Sequence, residues 1–235
     1  QAVNPYLPSW EYIPDGEPHV FNGRVYVYGS HDRFNAPIFC VNDYVCWSAP
    51  VEDLSEWRYE GVIYRKKQDP KNPLGYHLLF APDVCQGPDG RYYLYYAFDF
   101  LGIMSVAVCD TPAGEYKFLG HIHYADGTLW GRRRGDQLPF DPGVLADDDG
   151  RVWLYSGFYN AVPAILTGGH KLRCDGGTVL ELEKDMVTIK TEPRVIFPKK
   201  GPGAFQGHEF FEASSIRKEG KTYICLLYTS PSPRD

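Results

Sequence analysis

Four acidic residues recur at nearly equivalent positions along this 235-residue chain. Each precedes a turn glycine by 7 to 9 residues, within a unit of a short apolar strand, a polar turn and a second strand rich in Tyr, Val and Leu. The acids are Asp15, Asp83, Asp141 and Glu212, and the glycines are Gly23, Gly90, Gly150 and Gly220. Equivalent positions of repeats arranged around an axis lie close together. The pattern therefore predicts a cluster of carboxyl groups.

Converging carboxyl groups suit the hydrolysis of a glycosidic bond. One protonated acid donates to the leaving oxygen, while a carboxylate activates water or attacks directly. Close carboxyl groups also raise one another's pKa, which helps to keep one of them protonated near neutral pH. Metal binding is the rival use of clustered acids. The run 147–150, Asp-Asp-Asp-Gly, superficially fits a Ca²⁺ loop, but the same residues are typical of a hairpin turn.

The spacing of the repeats predicts the elements that position the acids. The turn glycines lie 67, 60 and 70 residues apart, which suits propeller blades with long loops. Further strand patterns occur at residues 44–48, 57–64, 104–108, 116–120, 164–166, 177–182 and 194–197. Four strands per blade predict an all-β propeller in which the first strand of each blade lines a central channel. The acids, at the start of these strands, would face one another across the channel mouth.

The repeat count predicts an incomplete propeller. Three blades are complete, and the fourth ends after its second strand, so about three and a half blades are expected. Residues 1–224 are predicted to form this catalytic domain, and residues 225–235 a non-native or disordered tail, because the Pro-Ser-Pro-Arg end lacks strand character. A truncated reading frame explains this pattern, and a natural disordered tail is the alternative.

Composition restricts the partners of the chain. A net charge of −6 disfavours nucleic acid. No apolar stretch approaches the ~20 residues of a membrane span, so no membrane partner is expected. The six cysteines show no metal-ligand spacing and favour free thiols in a reducing compartment, hence the cytoplasm. Disulfides, with a secreted or periplasmic location, are the alternative. The oligomeric state is unknown from the sequence.

The ordered motifs around the acids resemble glycoside hydrolase family 43. They are Asn4-Pro5 with Pro14-Asp15-Gly16, then Phe80-Ala81-Pro82-Asp83-Val84, Phe140-Asp141-Pro142-Gly143-Val144 and Phe211-Glu212-Ala213-Ser214. The resemblance covers about residues 4 to 224. It implies a five-bladed β-propeller and an inverting enzyme that cleaves arabinofuranosyl or xylosyl linkages in plant polysaccharides or their oligosaccharides. It implies no required cofactor and allows a structural Ca²⁺ in the central channel of the full-length protein.

The resemblance also assigns roles to three acids. Asp15 would be the general base, Glu212 the general acid, and Asp141 the residue that orients Glu212 and raises its pKa. No residue is assigned as a metal ligand. Simpler interpretations remain: Asp15 as a turn residue, Asp141 as the cap of an extended segment, and Glu209 in place of Glu212 as the acid.

Five further residues are predicted to bind substrate: Asp83, Trp10, Phe80, His31 and Phe140. Aromatic rings can stack on the apolar faces of sugars, and Phe34 is a further candidate of this kind. The alternatives are core packing for the aromatic residues, capping for His31, and structural support for Asp83.

Two other functions stay open. A retaining β-fructosidase would show an Asn-Asp-Pro-Asn-Gly run, an Arg-Asp-Pro and a Glu-Cys. The corresponding segments here are Ile13-Pro14-Asp15-Gly16, Phe140-Asp141-Pro142 and Glu212-Ala213. A non-catalytic sugar-binding propeller, or an inactive fragment without the fifth blade, is the other alternative.

Overall fold

The computed structural model describes residues 4–230. Within this range fourteen strands form three four-stranded antiparallel sheets and one two-stranded sheet. A single turn of 3₁₀-helix, Lys66–Gln68, is the helical element among the described residues. The all-β class and the count of three complete blades and half of a fourth are therefore confirmed.

Each complete blade is a meander in which consecutive strands pair. Blade one contains β1 Glu17–Phe21, β2 Arg24–Tyr28, β3 Tyr44–Pro50 and β4 Arg58–Tyr64. Blade two contains β5 Asp83–Gln86, β6 Tyr92–Ala97, β7 Met104–Cys109 and β8 Lys117–His121. Blade three contains β9 Gly143–Ala146, β10 Val152–Ser156, β11 Gly176–Leu182 and β12 Arg194–Pro198. The half blade contains β13 Glu209–Glu219 and β14 Thr222–Ser230.

The turn residues set the register of the first hairpin. Asn22 and Gly23 connect β1 to β2 with φ values of 51° and 75°. Positive φ at both central positions is the geometry of a type I′ turn, whose twist matches that of paired strands. Phe21 therefore pairs with Arg24, and Glu17 pairs with Tyr28.

Apolar faces of neighbouring blades pack against each other. Tyr28, Tyr44 and Tyr96 belong to a buried cluster shared by blades one and two. Tyr95 and Leu180 belong to a second cluster shared by blades two and three. Buried tyrosines need partners for their hydroxyl groups, and Tyr28 donates to the carbonyl oxygen of Pro112 at 2.7 Å. Many of the aromatic residues thus pack between neighbouring blades.

Asp83 connects the inner strands of all three complete blades. It is 1% exposed at the start of β5. Its Oδ1 lies 2.6 Å from Nε2 of His19 in β1, and its Oδ2 accepts a hydrogen bond from the backbone amide of Val144 in β9 at 2.6 Å. Charge-assisted bonds of this kind are stronger than neutral ones. Asp83 therefore fixes the spacing of the strands that carry the acids.

Ionic contacts attach the half blade to both of its neighbours. Lys218 and Tyr223 donate to the carboxylate of Asp147 in the turn of blade three. Arg217 and Ser215 donate to Glu17 at the start of β1. Asp147 thus serves an inter-blade contact, and this supports the hairpin interpretation of the Asp-Asp-Asp-Gly run over a Ca²⁺ loop.

The structure differs from the sequence expectation at two places. Residues 164–166 form a turn and not a strand, with Leu166 N bonded to the carbonyl oxygen of Pro163. Strand β14 continues to Ser230, so residues 225–230 pair in the sheet, whereas a non-native or disordered tail was expected from residue 225. Residues 231–235, the rest of that predicted tail, lie outside the described residues.

All six cysteines are free, and four of them are buried. No helix among residues 4–230 has the length and apolar character needed to span a membrane.

Close contact between inner strands makes Gly143 a sensitive position. A Cβ there would lie 2.2 Å from the carbonyl oxygen of Ser214 in β13. We expect Gly143→Ala to lower the free energy of unfolding by about 2 kcal/mol, because the two strands must separate. Gly120→Ala is the matched control, since its Cβ would lie at an ordinary 3.5 Å from Val187. Urea denaturation measures both variants, and equal effects would contradict the close-contact explanation.

Candidate active site

A cavity of about 410 Å³ opens where the inner strands begin. Three of the four repeated acids line it: Asp15, Asp141 and Glu212. Its other walls are mostly apolar and are formed by Pro14, Asp32, Phe39, Cys40, Phe80, Ala81, Phe100, Phe140, Phe158, Phe211 and Ala213. A concave, largely apolar cavity with a few converging polar groups is the usual form of a small-molecule site.

Local backbone geometry directs the three acids into the cavity. Asp15 and Asp141 each lie two residues before an inner strand, with φ values of 57° and 47°. Glu212 lies within β13 at an irregularity in its pairing with β14, and the next residue, Ala213, has a φ of 59°. Left-handed backbone at residues other than glycine is strained and concentrates at functional sites, as do bulges that re-aim a side chain.

Burial and repulsion favour the protonated forms of two of these acids. Burial raises the pKa of Glu212 to about 7, and the nearby Asp15 carboxylate adds to the rise. Burial likewise raises the pKa of Asp141 well above its usual range, with further contributions from Glu212 and Asp15. The backbone amide of Ala213 partly opposes this rise by bonding to Asp141. The cavity therefore holds acids with different tendencies to keep a proton.

Asp15 has a different environment from the other two acids. The hydroxyl of Ser30, a buried residue just after β2, donates to Oδ2 of Asp15 at 2.9 Å. This bond restrains the carboxylate. Asp15 contributes negative charge near both Glu212 and Asp141.

The structure distinguishes Glu212 from its sequence neighbour Glu209. Glu209 is absent from the cavity lining, and its Oε1 accepts a hydrogen bond from the amide of Gly207 at 3.0 Å. Backbone hydrogen bonds lower the pKa of Glu209, which is the opposite of the shift at Glu212. A proton donor is therefore better placed at Glu212.

Asp83 does not lie in the cavity wall, although the repeat predicted a carboxyl group there. It is the first residue of β5, whereas Asp15 and Asp141 lie two residues before their strands. The residue two positions before β5 is Ala81, and Ala81 does line the cavity. The substrate contact predicted for Asp83 is thus corrected to the inter-strand role described above.

The other predicted substrate contacts divide into two groups. Phe80 and Phe140 line the cavity and pack edge-to-face, with ring centroids 5.8 Å apart. Trp10 and His31 do not line it. Trp10 is 65% exposed beside Trp47, and both ring nitrogens of His31 are hydrogen-bonded, to Glu11 and to the carbonyl oxygen of Asp43. The structure thus favours the capping role for His31.

Sequence reasoning missed several cavity residues. Asp32, Phe39 and Cys40 lie between β2 and β3, Phe100 between β6 and β7, and Phe158 between β10 and β11. Each complete blade therefore contributes a phenylalanine from the connection between its second and third strands. The available signal for Phe100 and Phe158 was an aromatic residue within three positions of the end of a second strand, whereas Phe39 lies eleven residues after β2 and had no such signal.

One group of potential metal ligands occurs in residues 4–230. Glu17, His19 and Asp83 bring a ligand atom each within 4.8 Å of one another. These atoms already serve protein contacts, since Glu17 accepts from Arg217 and Ser215 and Asp83 lies against His19. The group therefore fits a cation poorly, and a channel Ca²⁺ stays a prediction.

A propeller with three acids in a funnel at the start of its inner strands has the architecture of a carbohydrate-cleaving enzyme. The sequence model described as "Glycosyl hydrolases family 43" matches residues 14–228. The chain belongs to this family, as the motifs indicated.

Relatives and solved structures agree with this assignment. A xylosidase/arabinosidase of Thermoclostridium stercorarium is 60% identical over 98% of this chain and 47% of its own length. Xylosidase/arabinosidase 43A of Humicola insolens is 31% identical over 91% of this chain and 71% of its own. A family 43 β-xylosidase/α-arabinofuranosidase from a compost metagenome, solved with xylotriose, is 26% identical with a TM-score of 0.69, covering 96% of this chain and 72% of that one. The chain thus spans about half the length of the first of these relatives.

The electrostatic account predicts a measurable coupling between Asp15 and Glu212. Asp15→Asn should lower the pKa of Glu212 from about 7, because one source of repulsion is lost. The pKa should stay above the ordinary glutamate value, since burial is the larger cause. Carbon-13 NMR titration of the Glu212 carboxyl, assigned by its loss in Glu212→Gln, measures this shift.

Glu209 supplies the internal control for that titration, because Asp15 is not among the causes of its shift. An unchanged Glu212 titration in Asp15→Asn would contradict the proximity of the two carboxyl groups.

Proposed function

We propose that this chain carries the catalytic centre of an inverting glycoside hydrolase that cleaves arabinofuranosyl or xylosyl linkages. The observation that carries the proposal is the convergence of Asp15, Asp141 and Glu212 on one cavity, with the pKa of Glu212 raised to about 7. A carboxyl group with that pKa is half protonated near neutral pH and can act as an acid there.

The proposed reaction uses Glu212 and Asp15 for opposite proton transfers. Glu212 donates its proton to the glycosidic oxygen, and Asp15 accepts a proton from the attacking water on the other face of the sugar. An inverting enzyme needs roughly 6.5–9.5 Å between these carboxyl groups to admit the water. The hydrogen bond from Ser30 restrains Asp15 for this role.

Asp141 acts on the reaction through Glu212. Its predicted role in raising the pKa of Glu212 is not supported, because burial and the Asp15 carboxylate are the causes of that rise. The pKa of Asp141 itself lies well above its usual range, which favours its uncharged form. Its contact with the Ala213 amide, one residue after Glu212, supports the segment that carries the acid. The chemistry requires no cofactor, and the proposed cytoplasmic location stays a prediction.

The proposed substrate class is based on the names of the relatives and on the sugar bound to one of them. Those reported above are named xylosidase or arabinosidase, and one was solved with xylotriose. A cavity of about 410 Å³ has room for a pentose ring with part of its neighbour. We therefore propose pentose-containing oligosaccharides or polysaccharides as the substrates of the full-length gene product.

The alternatives predict different sites. A non-catalytic sugar-binding propeller would not need to keep all three acids in one cavity, yet this chain has all three. A retaining β-fructosidase would use a carboxylate as nucleophile, with the two carboxyl groups only about 5–5.5 Å apart. Its characteristic motifs are absent from the corresponding segments.

Substitution of the two proposed catalysts tests the assignment. Asp15→Ala and Glu212→Ala should each lower kcat of the full-length gene product at least ~10²-fold on a xylo- or arabino-oligosaccharide, whose poor leaving group needs protonation. Glu209→Ala is the matched control and should keep near-native activity, because Glu209 lies outside the cavity lining. Loss of activity in Glu209→Ala with retention in Glu212→Ala would show that the acid is misassigned.

The pKa of Glu212 also predicts the pH dependence of the reaction. The acid is protonated below about pH 7 and loses its proton above it, so kcat/KM should fall as pH rises through that value. A saccharide substrate should be used, since its poor leaving group needs the proton. A profile that stays flat to pH 9 would contradict the role of Glu212.

A further inference from the structure

Phe39 differs from the other aromatic residues of the cavity in its exposure. Its side chain lines the cavity, yet the residue is 57% exposed. Phe80 and Phe140, in the same wall, are 7% and 5% exposed. The ring of Phe39 lies 5.4 Å from that of Phe80, centroid to centroid. Phe39 therefore stands where the cavity meets solvent.

The backbone that directly follows Phe39 is anchored. The amide of Cys40 donates to Oδ1 of Asp32 at 2.5 Å, and the amide of Asn42 donates to the carbonyl oxygen of His31 at 3.1 Å. Cys40 itself is buried and has a φ of 56°. An exposed ring on a fixed backbone is already positioned for a ligand, so little conformational freedom is lost on binding.

The position of Phe39 relative to the acids indicates which part of a ligand it would meet. The sugar that is cleaved must place its anomeric carbon among Asp15, Asp141 and Glu212 inside the cavity. The group that departs with the protonated oxygen must then extend out of the cavity, and Phe39 is the lining phenylalanine that is exposed to solvent. Exposed aromatic surface that continues a ligand cavity marks a binding surface.

We propose that Phe39 is a specificity-determining residue that stacks on the second sugar ring of an oligosaccharide, on the leaving-group side of the scissile bond. The inference rests on the proposed function and adds the chemical class of the leaving group to it. An aromatic face complements the apolar C–H face of a sugar ring. The chain would therefore select saccharide leaving groups over small alcohols.

Binding of sugars of different length tests this proposal. In a Glu212→Gln background, which leaves the ligands uncleaved, the full-length gene product is titrated calorimetrically with xylose, xylotriose, arabinose and arabinotriose. Adding Phe39→Ala should weaken trisaccharide binding about 5- to 10-fold and monosaccharide binding less than 2-fold. Phe39→Trp should keep the native affinity for the trisaccharide, because it restores a stacking face.

Phe34 provides a matched control on the same connection between β2 and β3. It is 71% exposed, stacks on Tyr12 and does not line the cavity. Phe34→Ala should leave both affinities unchanged. Equal losses for mono- and trisaccharides in Phe39→Ala, or no loss for either, would overturn the proposal.

Failure of the proposed function gives a different result. A Glu212→Gln protein with Phe39 intact that binds neither trisaccharide would overturn the proposed substrate class, and the role of Phe39 with it. Native-level trisaccharide binding in Phe39→Ala would overturn only the role of Phe39.

Discussion

The enclosure of three carboxyl groups in one cavity is the constraint on which the site depends. Burial is the main cause that disfavours the charged forms of Asp141 and Glu212. The Asp15 carboxylate adds to this effect at both residues, and Glu212 adds to it at Asp141. Two acids respond by keeping protons more strongly, while Ser30 restrains the third, Asp15. In the proposed mechanism these acids have separate roles, in which Glu212 donates a proton, Asp15 accepts one and Asp141 supports Glu212.

The scaffold has to hold these groups together against the cost of burying them and the repulsion from Asp15. Asp83 supplies part of the restraint by bonding to β1 and β9 from the start of β5. The half blade adds contacts from Arg217 to Glu17 and from Lys218 to Asp147. Removing one partner of a buried charged contact is strongly destabilising, so the buried contacts of Asp83 connect fold stability directly to site geometry.

Much of this arrangement could be predicted from periodic features of the sequence. The repeats predicted the blades, because strand alternation and turn glycines are local signals. The strand predicted at residues 164–166 was wrong, because an apolar run alone does not specify a strand. Pro163 before it and Gly168 and Gly169 after it were the signals for a turn.

The site was predictable where an acid occupies the same place in each repeat, and not elsewhere. Blades two and three share the pattern Phe-x-Pro-x-Val, in which Ala81 corresponds to Asp141 and Asp83 to Gly143. That two-residue offset explains the burial of Asp83. Phe39, Phe100 and Phe158 were missed because they lie on connections whose paths depend on tertiary packing, which no local period records.

The central claim is that Asp15 activates water while Glu212 protonates the leaving oxygen in a single displacement. Proton NMR of the anomeric signal during early hydrolysis of a pentose oligosaccharide by the full-length gene product tests it most directly. The account predicts that the first product has the anomeric configuration opposite to that of the substrate, before mutarotation. A first product with retained configuration would contradict it, because retention requires a covalent intermediate on one of the carboxylates.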